Sequence, residues 1–137
     1  MYYKKILDTQ FSDSNGTGHV DHLAYADWFD RARTYLYREL DPTLRFHPHG
    51  LVVVTTTVYY LQEASLLDGV EIRTWVSRIA RKSLEIQQDC WQHGTCCAQC
   101  KTVFCGFNVE TRQSEILLDR YREVLERFEW DERVQES

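Results

Sequence analysis

The sequence predicts an α+β domain in which an antiparallel sheet of about five strands covers one long helix. Apolar side chains recur at the spacing of one helix face over residues 23–40, and four stretches after residue 50 are dense in β-branched and aromatic residues. A helix with a wide aromatic face needs a large covering surface, such as a sheet. No repeat or low-complexity linker interrupts the 137 residues, so one domain is expected over residues 1–137.

The first predicted elements are a strand and the long helix. The strand lies in the alternating stretch YYKKILDTQF, and a Gly/Asn/Asp/Ser-rich loop follows over residues 13–22. The helix is predicted from about Leu23 to Leu40, with Asp21 as its N-cap and Pro42 helping to end it. Its apolar face comprises Tyr25, Trp28, Phe29, Ala32, Tyr35, Leu36 and Leu40.

Four further strands are predicted in the stretches LVVVTTTVYYL, VEIRTWVSRI, SLEIQQDCWQ and CCAQCKTVFCGFNV. The short sequences LLDG, ARKS and QHGT have the composition of hairpin turns, so neighbouring strands are predicted to be antiparallel. The VVVTTT run mixes apolar and polar residues, which indicates a contact between subunits. The last segment, LLDRYREVLERFEW, combines helical spacing with high charge and predicts a short amphipathic helix at the surface.

The composition argues against several classes of protein. A formal net charge of −5 and a pI near 5.5 argue against general binding to nucleic acid or to anionic membranes. No apolar run reaches the roughly 20 residues that span a bilayer. The N-terminal stretch MYYKKILDTQF lacks the apolar core of a signal peptide. We therefore expect a cytoplasmic protein without a membrane or nucleic-acid partner.

The cysteines and two histidines could suggest a metal site. An odd number of cysteines in a chain with no export signal predicts reduced thiols. In an extended strand Cys96 and Cys100 lie on one face and Cys97 on the other, whereas zinc ligands converge on one point. His47 and His49 have no further ligand nearby in the sequence. We expect no metal, no redox cofactor, and small buried thiols at Cys90, Cys96, Cys97, Cys100 and Cys105.

The stretch DSNGTGHVDHLAY, followed by DWFDRARTYLYREL, resembles the front of the hotdog-fold thioesterases. It is similar in particular to the 4-hydroxybenzoyl-CoA thioesterase and related bacterial acyl-CoA thioesterase group. In that family a loop of the form D-x-D-x-x-G-x-V leads to a His or Asn pair and a tyrosine that opens the central helix. The matching residues are Asp13, Asn15, Gly18, Val20, Asp21, His22 and Tyr25, continued by Trp28, Phe29, Asp30, Ala32 and Arg33. The resemblance covers about residues 5–110 and includes Asp68-Gly69 as a turn and Ser83 as a strand start.

The resemblance implies a hotdog fold, in which the sheet wraps around one long central helix, and a thioesterase site. The family's catalytic carboxylate falls on Asn15, whereas the first acid of the pattern is kept as Asp13. The backbone N–H of His22 is then the expected oxyanion donor, and Asn15 positions the attacking water. His22 or Asp13 supplies the base. A branch of these enzymes that releases polyketide products is similar in having an Asn here and a helix arginine, which corresponds to Arg33.

The expected substrate-binding residues come from the same resemblance and from a basic turn. The turn, in the stretch RIARKS, offers cations to the phosphates of coenzyme A. It is equally compatible with a solvated hairpin. In the same way Asn15 can hold a left-handed turn beside Gly16, and Arg33 can pair with Asp30. The expected set is Gly18, Tyr25, Arg33, Arg81, Lys82 and Ser83.

The predicted function is hydrolysis of an acyl-CoA or acyl-carrier-protein thioester to free acid and thiol, with coenzyme A only as part of the substrate. A non-hydrolytic acyl-thioester binding protein is the alternative, because Asn15 cannot take a proton or attack as a carboxylate does. A different hotdog enzyme or a structural subunit is the third. The resemblance implies a homodimer or homotetramer with substrate clefts between subunits, an arrangement that also pairs an exposed sheet edge.

Overall fold

The structure is a computed structural model and describes residues 1–14 and 19–130. The predicted α+β architecture and hotdog arrangement are confirmed: an antiparallel sheet curls around a long helix. The strand order is β1-β3-β4-β5-β2, and the two-residue β6 pairs with β5. The strands are β1 (Tyr3–Leu7), β2 (His49–Tyr60), β3 (Val70–Ile79), β4 (Ser83–Gln92), β5 (Thr95–Asn108) and β6 (Gln113–Ser114). The helices are α1 (His22–Ala32), α2 (Thr34–Leu40) and α3 (Asp119–Arg127).

Two of the three predicted hairpins are present. The ARKS stretch joins β3 to β4 and the QHGT stretch joins β4 to β5, in both cases between antiparallel neighbours. The LLDG hairpin is wrong, because β2 pairs with β5 and lies at the far edge of the sheet from β3. Gly69, the glycine of LLDG, instead allows another part of the chain to pass close to its backbone. A Cβ at Gly69 would lie 2.9 Å from the carbonyl oxygen of Leu7, so the chain passes tightly over the end of β1.

The central helix begins and ends as predicted, but it is bent. Asp21 is its N-cap and accepts a hydrogen bond from the N–H of Leu23 at 2.9 Å. α1 and α2 meet at Arg33, whose backbone is helical (φ −77°, ψ −11°). The N–H of Arg33 donates to Asp30 at 3.1 Å, one residue closer than in a regular α-helix, so the helical ladder is interrupted there.

The interior consists of two apolar clusters with a polar layer between them. One cluster lies under α1 and includes Trp28 and Phe29; the other lies under α2 and α3 and includes Leu36 and Leu40. Tyr35 was predicted on the buried face, but it is half-exposed and packs edge-on against other rings at the rim of the second cluster. The polar layer between the clusters comprises the buried side chains of Arg33, Thr74, Gln88 and Thr102.

The prediction that all five thiols are buried holds for three cysteines only, because Cys96 and Cys105 are partly exposed. Cys90, Cys97 and Cys100 are buried in the first cluster. The prediction that Cys97 faces away from Cys100 is wrong, because a register irregularity opposite Trp91 inserts one extra residue into β5 and breaks the alternation. Among residues 1–14 and 19–130, no group of His, Cys, Asp and Glu side chains could hold a metal ion.

The C-terminal segment forms the predicted amphipathic helix α3. Its polar residues face outward, whereas Tyr121 and Leu125 are buried in the second cluster together with Phe128. The N–H of Val76 donates to the Phe128 carbonyl at 2.8 Å and ties the segment to β3. No helix in the described part of the chain is both long and apolar enough to cross a bilayer.

Candidate active site

A cavity of about 300 Å³ lies at the N-terminal end of α1. Two parts of the chain form this cavity: the residues that lead into the helix, and the segment that follows the end of β2. The lining residues are Val20, His22, Tyr25, Tyr60, Leu61, Gln62 and Glu63. Since the first N–H groups of a helix lack intrahelical acceptors and carry partial positive charge, this end of α1 favours an anion or a developing oxyanion.

The helix entrance places His22 at the cavity. Asp21 uses one carboxylate oxygen to accept from Leu23, and its backbone carbonyl accepts from Ala24 at 2.9 Å. The imidazole of His22 is exposed, with Nδ1 3.2 Å from Oδ1 of Asp21. The hydroxyl of Tyr60 donates to the His22 carbonyl at 3.3 Å and joins the end of β2 to the helix start. His22 thus lines the cavity, with its ring on the solvent side.

Asp13 lies beneath the site and has structural partners. Its carboxylate is buried, and Oδ2 accepts from the N–H of Gln10 at 2.7 Å and from the indole Nε1 of Trp28 at 3.3 Å. Its carbonyl accepts from the N–H of Asp21 at 2.7 Å, which fixes the chain at the helix entrance. Through these contacts Asp13 stabilises the loop that leads into α1. Asn15 and Gly18 lie outside the described residues.

Tyr25 joins the helix to the chain segment that follows β2. Its side chain is buried, and its hydroxyl accepts a hydrogen bond from the N–H of Ala64 at 2.9 Å. Burial raises the pKa of the Tyr25 phenol above its ordinary value, and the hydrogen bond from Ala64 opposes that rise. The ring also packs edge-on against Trp28 and Tyr60. Tyr25 lines the cavity and holds its two walls together.

Sequence reasoning missed the carboxylate of Glu63. Its Oε1 lies 2.6 Å from Nδ1 of His19, across 44 residues of sequence. Both side chains are about half-exposed, and Glu63 lines the cavity. No local pattern marks this glutamate, because only the fold brings the connection after β2 to the loop before α1. The sequence offers one weak signal for Glu63, which is its position between the end of a predicted strand and a predicted turn.

The segment that carries Glu63 is fixed to the sheet. The N–H groups of Leu61 and Gln62 both donate to the Cys97 carbonyl, at 2.9 and 3.0 Å. Farther on, the side chain of Gln92 accepts from the N–H of Ser65 at 2.7 Å and donates to its carbonyl at 2.9 Å. The Glu63 backbone is therefore held from both sides.

Arg33 does not line this cavity. It lies eleven residues beyond His22, roughly 16 Å along the helix axis, and its guanidinium is buried in the polar layer. Nη2 pairs with Asp30 at 3.2 Å, the partner proposed from the sequence, and Nη1 donates to Gln88 at 2.9 Å. Nε donates to the hydroxyl of Tyr37 at 2.9 Å.

The basic turn also lies away from the cavity within one chain. Arg81 and Lys82 connect β3 to β4, and Ser83 begins β4 as expected. The helix entrance is at the other end of the same sheet, beside the end of β4. Ten residues of β4 separate the two ends, a length of roughly 30 Å at about 3.3 Å per residue.

A second cavity, of about 580 Å³, lies between the helix bend and the first half of β2. Its walls are largely aromatic and aliphatic, and Asp30 and Arg45 add one charge of each sign. The residues that line it are Asp30, Thr34, Tyr37, Leu44, Arg45, Phe46, Leu51, Val53 and Phe104.

Comparison with solved structures identifies the fold. A predicted thioesterase from Bacillus stearothermophilus superposes with a TM-score of 0.89, is 25% identical, and is matched over 96% of this chain and 98% of that one. A thioesterase from Thermus thermophilus, solved with coenzyme A and Zn, gives 0.81 at 23% identity over 92% of each chain. A DHNA-CoA thioesterase from Staphylococcus aureus gives 0.81 at 17% identity, over 92% and 89%.

The family follows from the sequence match. The model of the thioesterase-like superfamily matches residues 9–137, which is nearly the whole chain. The comparison with curated proteins gave no match. The protein belongs to the thioesterase-like superfamily and has the hotdog fold of its structural neighbours.

Proposed function

We propose that this protein hydrolyses an acyl thioester of coenzyme A or of an acyl carrier protein to the free acid and the thiol. The observation that carries the proposal is the cavity at the N-terminus of α1, with His22 at its edge, in a member of the thioesterase-like superfamily. A thioester carbonyl placed there can accept from the N–H of His22 as negative charge develops on its oxygen. The Leu23 N–H is already bound by Asp21, so His22 is the available donor at the helix end.

Coenzyme A is the proposed carrier of the acyl group. The similar thioesterase from Thermus thermophilus was solved with coenzyme A, and the name of the Staphylococcus aureus relative includes a CoA thioester. No cofactor is needed for hydrolysis by this scheme, because the oxyanion is stabilised by the helix and the nucleophile is water.

We propose further that the protein is a homodimer joined through β2. This strand is an edge of the sheet, and its middle residues 52–57 are exposed on both faces. Three of them are the consecutive Val52, Val53 and Val54, which leave an apolar strand edge open to pairing. The opposite edge, β1, carries the exposed Lys4 and Lys5, which disfavour pairing with another strand. The charge distribution therefore favours β2 as the edge that pairs.

A two-fold axis at β2 would also complete the site. Antiparallel pairing of the two β2 strands puts the start of the partner's strand beside Tyr60, where β2 ends at the cavity. The partner subunit's Ser83 would then lie three strand spacings away, roughly 14 Å at about 4.8 Å per spacing. The partner subunit's Arg81 and the partner subunit's Lys82 would face the phosphates of a coenzyme A that enters this cavity. This arrangement gives the basic turn a role that it lacks within one chain.

A binding protein without turnover is the second candidate. It is favoured by the commitment of the Asp13 carboxylate to Gln10 and Trp28, together with an asparagine at position 15. A binder would hold the acyl thioester at the same helix end with saturable affinity and would leave the thioester bond intact.

The test is release of thiol from short, long and aromatic acyl-CoA substrates by the wild type, Asn15→Ala, Asn15→Asp and His22→Ala. Wild-type turnover that falls in Asn15→Ala is expected for a hydrolase in which Asn15 positions water. Saturable binding without turnover, with activity gained in Asn15→Asp, would establish the binding protein instead. His22→Ala keeps its backbone N–H, so it separates a side-chain role from the oxyanion role of the backbone.

A further inference from the structure

Glu63 is the one carboxylate among the described residues that line the cavity. It shares the cavity with His22 and Tyr60, and its Oε1 is 2.6 Å from Nδ1 of His19. A carboxylate that is held by a histidine through one oxygen leaves its second oxygen for water. A general base must reach its water at about 2.6–3.2 Å, and half-exposure at a cavity wall permits such an approach.

The position of Glu63 is set by contacts on both sides of it. Before it, Leu61 and Gln62 are bound to the Cys97 carbonyl. After it, the Ala64 N–H is bound to the hydroxyl of Tyr25, a buried residue of α1. A backbone fixed in this way positions a side chain reproducibly, as catalysis requires.

The other acid–base groups at this end of the molecule are less suited to activate water. Asp13 is buried and accepts from Gln10 and from the indole of Trp28 through the same oxygen, Oδ2. The Asp21 carboxylate caps the helix. The imidazole of His22 points to solvent beside Asp21. Glu63 therefore combines a cavity position, a fixed backbone and a second carboxylate oxygen that has no hydrogen-bond partner among the described residues.

We infer that Glu63 is the general base of thioester hydrolysis in this protein and that His19 is its positioning residue. The inference rests on the proposed function and assigns a carboxylate to the step that Asn15 cannot perform. Tyr25 supports the same arrangement by binding the backbone next to Glu63.

The step balances without any further reactant. As the water oxygen bonds to the thioester carbonyl carbon, one water proton moves to the Glu63 carboxylate, and the N–H of His22 donates to the resulting oxyanion. The tetrahedral intermediate then collapses, and the carbon–sulfur bond breaks. Glu63 returns the proton to the leaving sulfur, which yields the carboxylic acid, the free thiol and the original carboxylate.

The decisive variant is Glu63→Gln, which keeps the size of the side chain and removes the base. We expect kcat to fall by about 100-fold or more, the usual contribution of general base catalysis, with KM changed little. Asp68→Asn is the matched control, because Asp68 forms a similar exposed pair with His93, at 2.8 Å, and does not line the cavity. His19→Ala should lower kcat by about tenfold, since the base remains but its orientation is lost.

Two further measurements separate a catalytic from a structural role. Glu63→Gln should bind a non-hydrolysable acyl-CoA thioether as tightly as the wild type. A low-pH limb of the kcat/KM profile should be present in the wild type and in Asp68→Asn and absent in Glu63→Gln. The other titratable groups around the cavity are His22, Tyr25 and Tyr60, with His19 paired to Glu63 and Asp21 beside His22, so the profile is also recorded for His22→Ala.

The outcomes distinguish this inference from the proposed function. If the wild type hydrolyses a thioester and Glu63→Gln retains its kcat within about threefold, Glu63 is not the base, although the protein is a hydrolase. If the wild type hydrolyses none of the substrates, the proposed function fails and the role of Glu63 fails with it. A large loss of kcat in Glu63→Gln alone, with thioether binding intact, supports both.

Discussion

The amide oxygen of Gln88 accepts a hydrogen bond from Nη1 of Arg33 at 2.9 Å beneath the bend of the central helix. The amide nitrogen of the same side chain donates to the Phe29 carbonyl at 2.9 Å, which the interrupted helical ladder leaves open. On the other side, the hydroxyl of Tyr3 donates to the Ala32 carbonyl at 2.7 Å. Two side chains thus satisfy the backbone groups that the bend exposes, and the buried guanidinium helps to fix one of them.

The first prediction concerns this buried amide. Gln88→Leu should lower the free energy of unfolding by about 3 kcal/mol, because it removes a hydrogen bond to a buried charge and leaves the Phe29 carbonyl unpaired. Gln87→Leu, on the opposite face of the same strand, should cost less than about 1 kcal/mol. Urea unfolding of both variants measures the difference. Equal losses would mean that the polar layer does not stabilise the bend.

The second prediction uses the phenol of Tyr3. Burial raises its pKa to about 12, so its neutral form favours the folded state. Because the folded pKa is above the unfolded one, the stabilisation is complete below about pH 10 and is lost as pH rises towards 12. The stability advantage of the wild type over Tyr3→Phe should therefore shrink by about 2 kcal/mol between pH 9 and pH 12. A pH-independent difference, measured by urea unfolding, would contradict it.

The third prediction concerns the thiols. Burial raises the pKa of Cys90, Cys97 and Cys100, and the thiolate is the reactive form. Iodoacetamide at pH 8 should therefore modify the part-exposed Cys96 and Cys105 first. The three buried thiols should react only after unfolding in urea. Peptide mass spectrometry with and without urea measures the order, and early labelling of Cys90 in the folded protein would show that the first apolar cluster opens readily.

The sequence could predict those parts of the fold that depend on residues close to one another in the chain. The spacing of Trp28 and Leu36 predicts one helix face, and the carboxylate of Asp21 predicts the helix start, because both depend on residues a few positions away. The bend at Arg33 has a remote cause, since Gln88 reaches the helix from β4. The LLDG stretch shows the same limit. The composition of a turn predicts that the chain reverses there, but it does not predict which strands will pair with each other.

The candidate site was predictable only in part for the same reason. His22 and Tyr25 belong to one contiguous motif, and both line the cavity. Glu63 and His19 meet across 44 residues, and neither lies in a pattern that points to the other. The family pattern has its catalytic carboxylate at position 15, where this chain has asparagine. A substituted motif is therefore a reason to look for the missing group elsewhere in the folded site.

The last prediction tests the proposed pairing through β2. Val54→Lys places a charge on the exposed middle of this edge, and two-fold symmetry would bring two such charges together. We expect monomers by sedimentation velocity and a loss of turnover, because the cavity would lose the partner's basic turn. Ile6→Lys on the β1 edge, where Ile6 is similarly exposed, is the control and should remain a dimer. A dimeric Val54→Lys would rule out this edge.

Mixing variants tests whether the site is shared between subunits. Glu63→Gln removes the inferred base at the helix end of a cavity, and Arg81→Ala removes a cation from the basic turn that the partner supplies in the proposed dimer. Random exchange makes half of the dimers mixed, and each mixed dimer has one intact site, so about a quarter of the wild-type activity should return. Dilution below the dimer dissociation constant should abolish the recovery. If mixing restores no activity while each variant alone is impaired, the two residues do not meet across the β2 edge and the basic turn acts elsewhere.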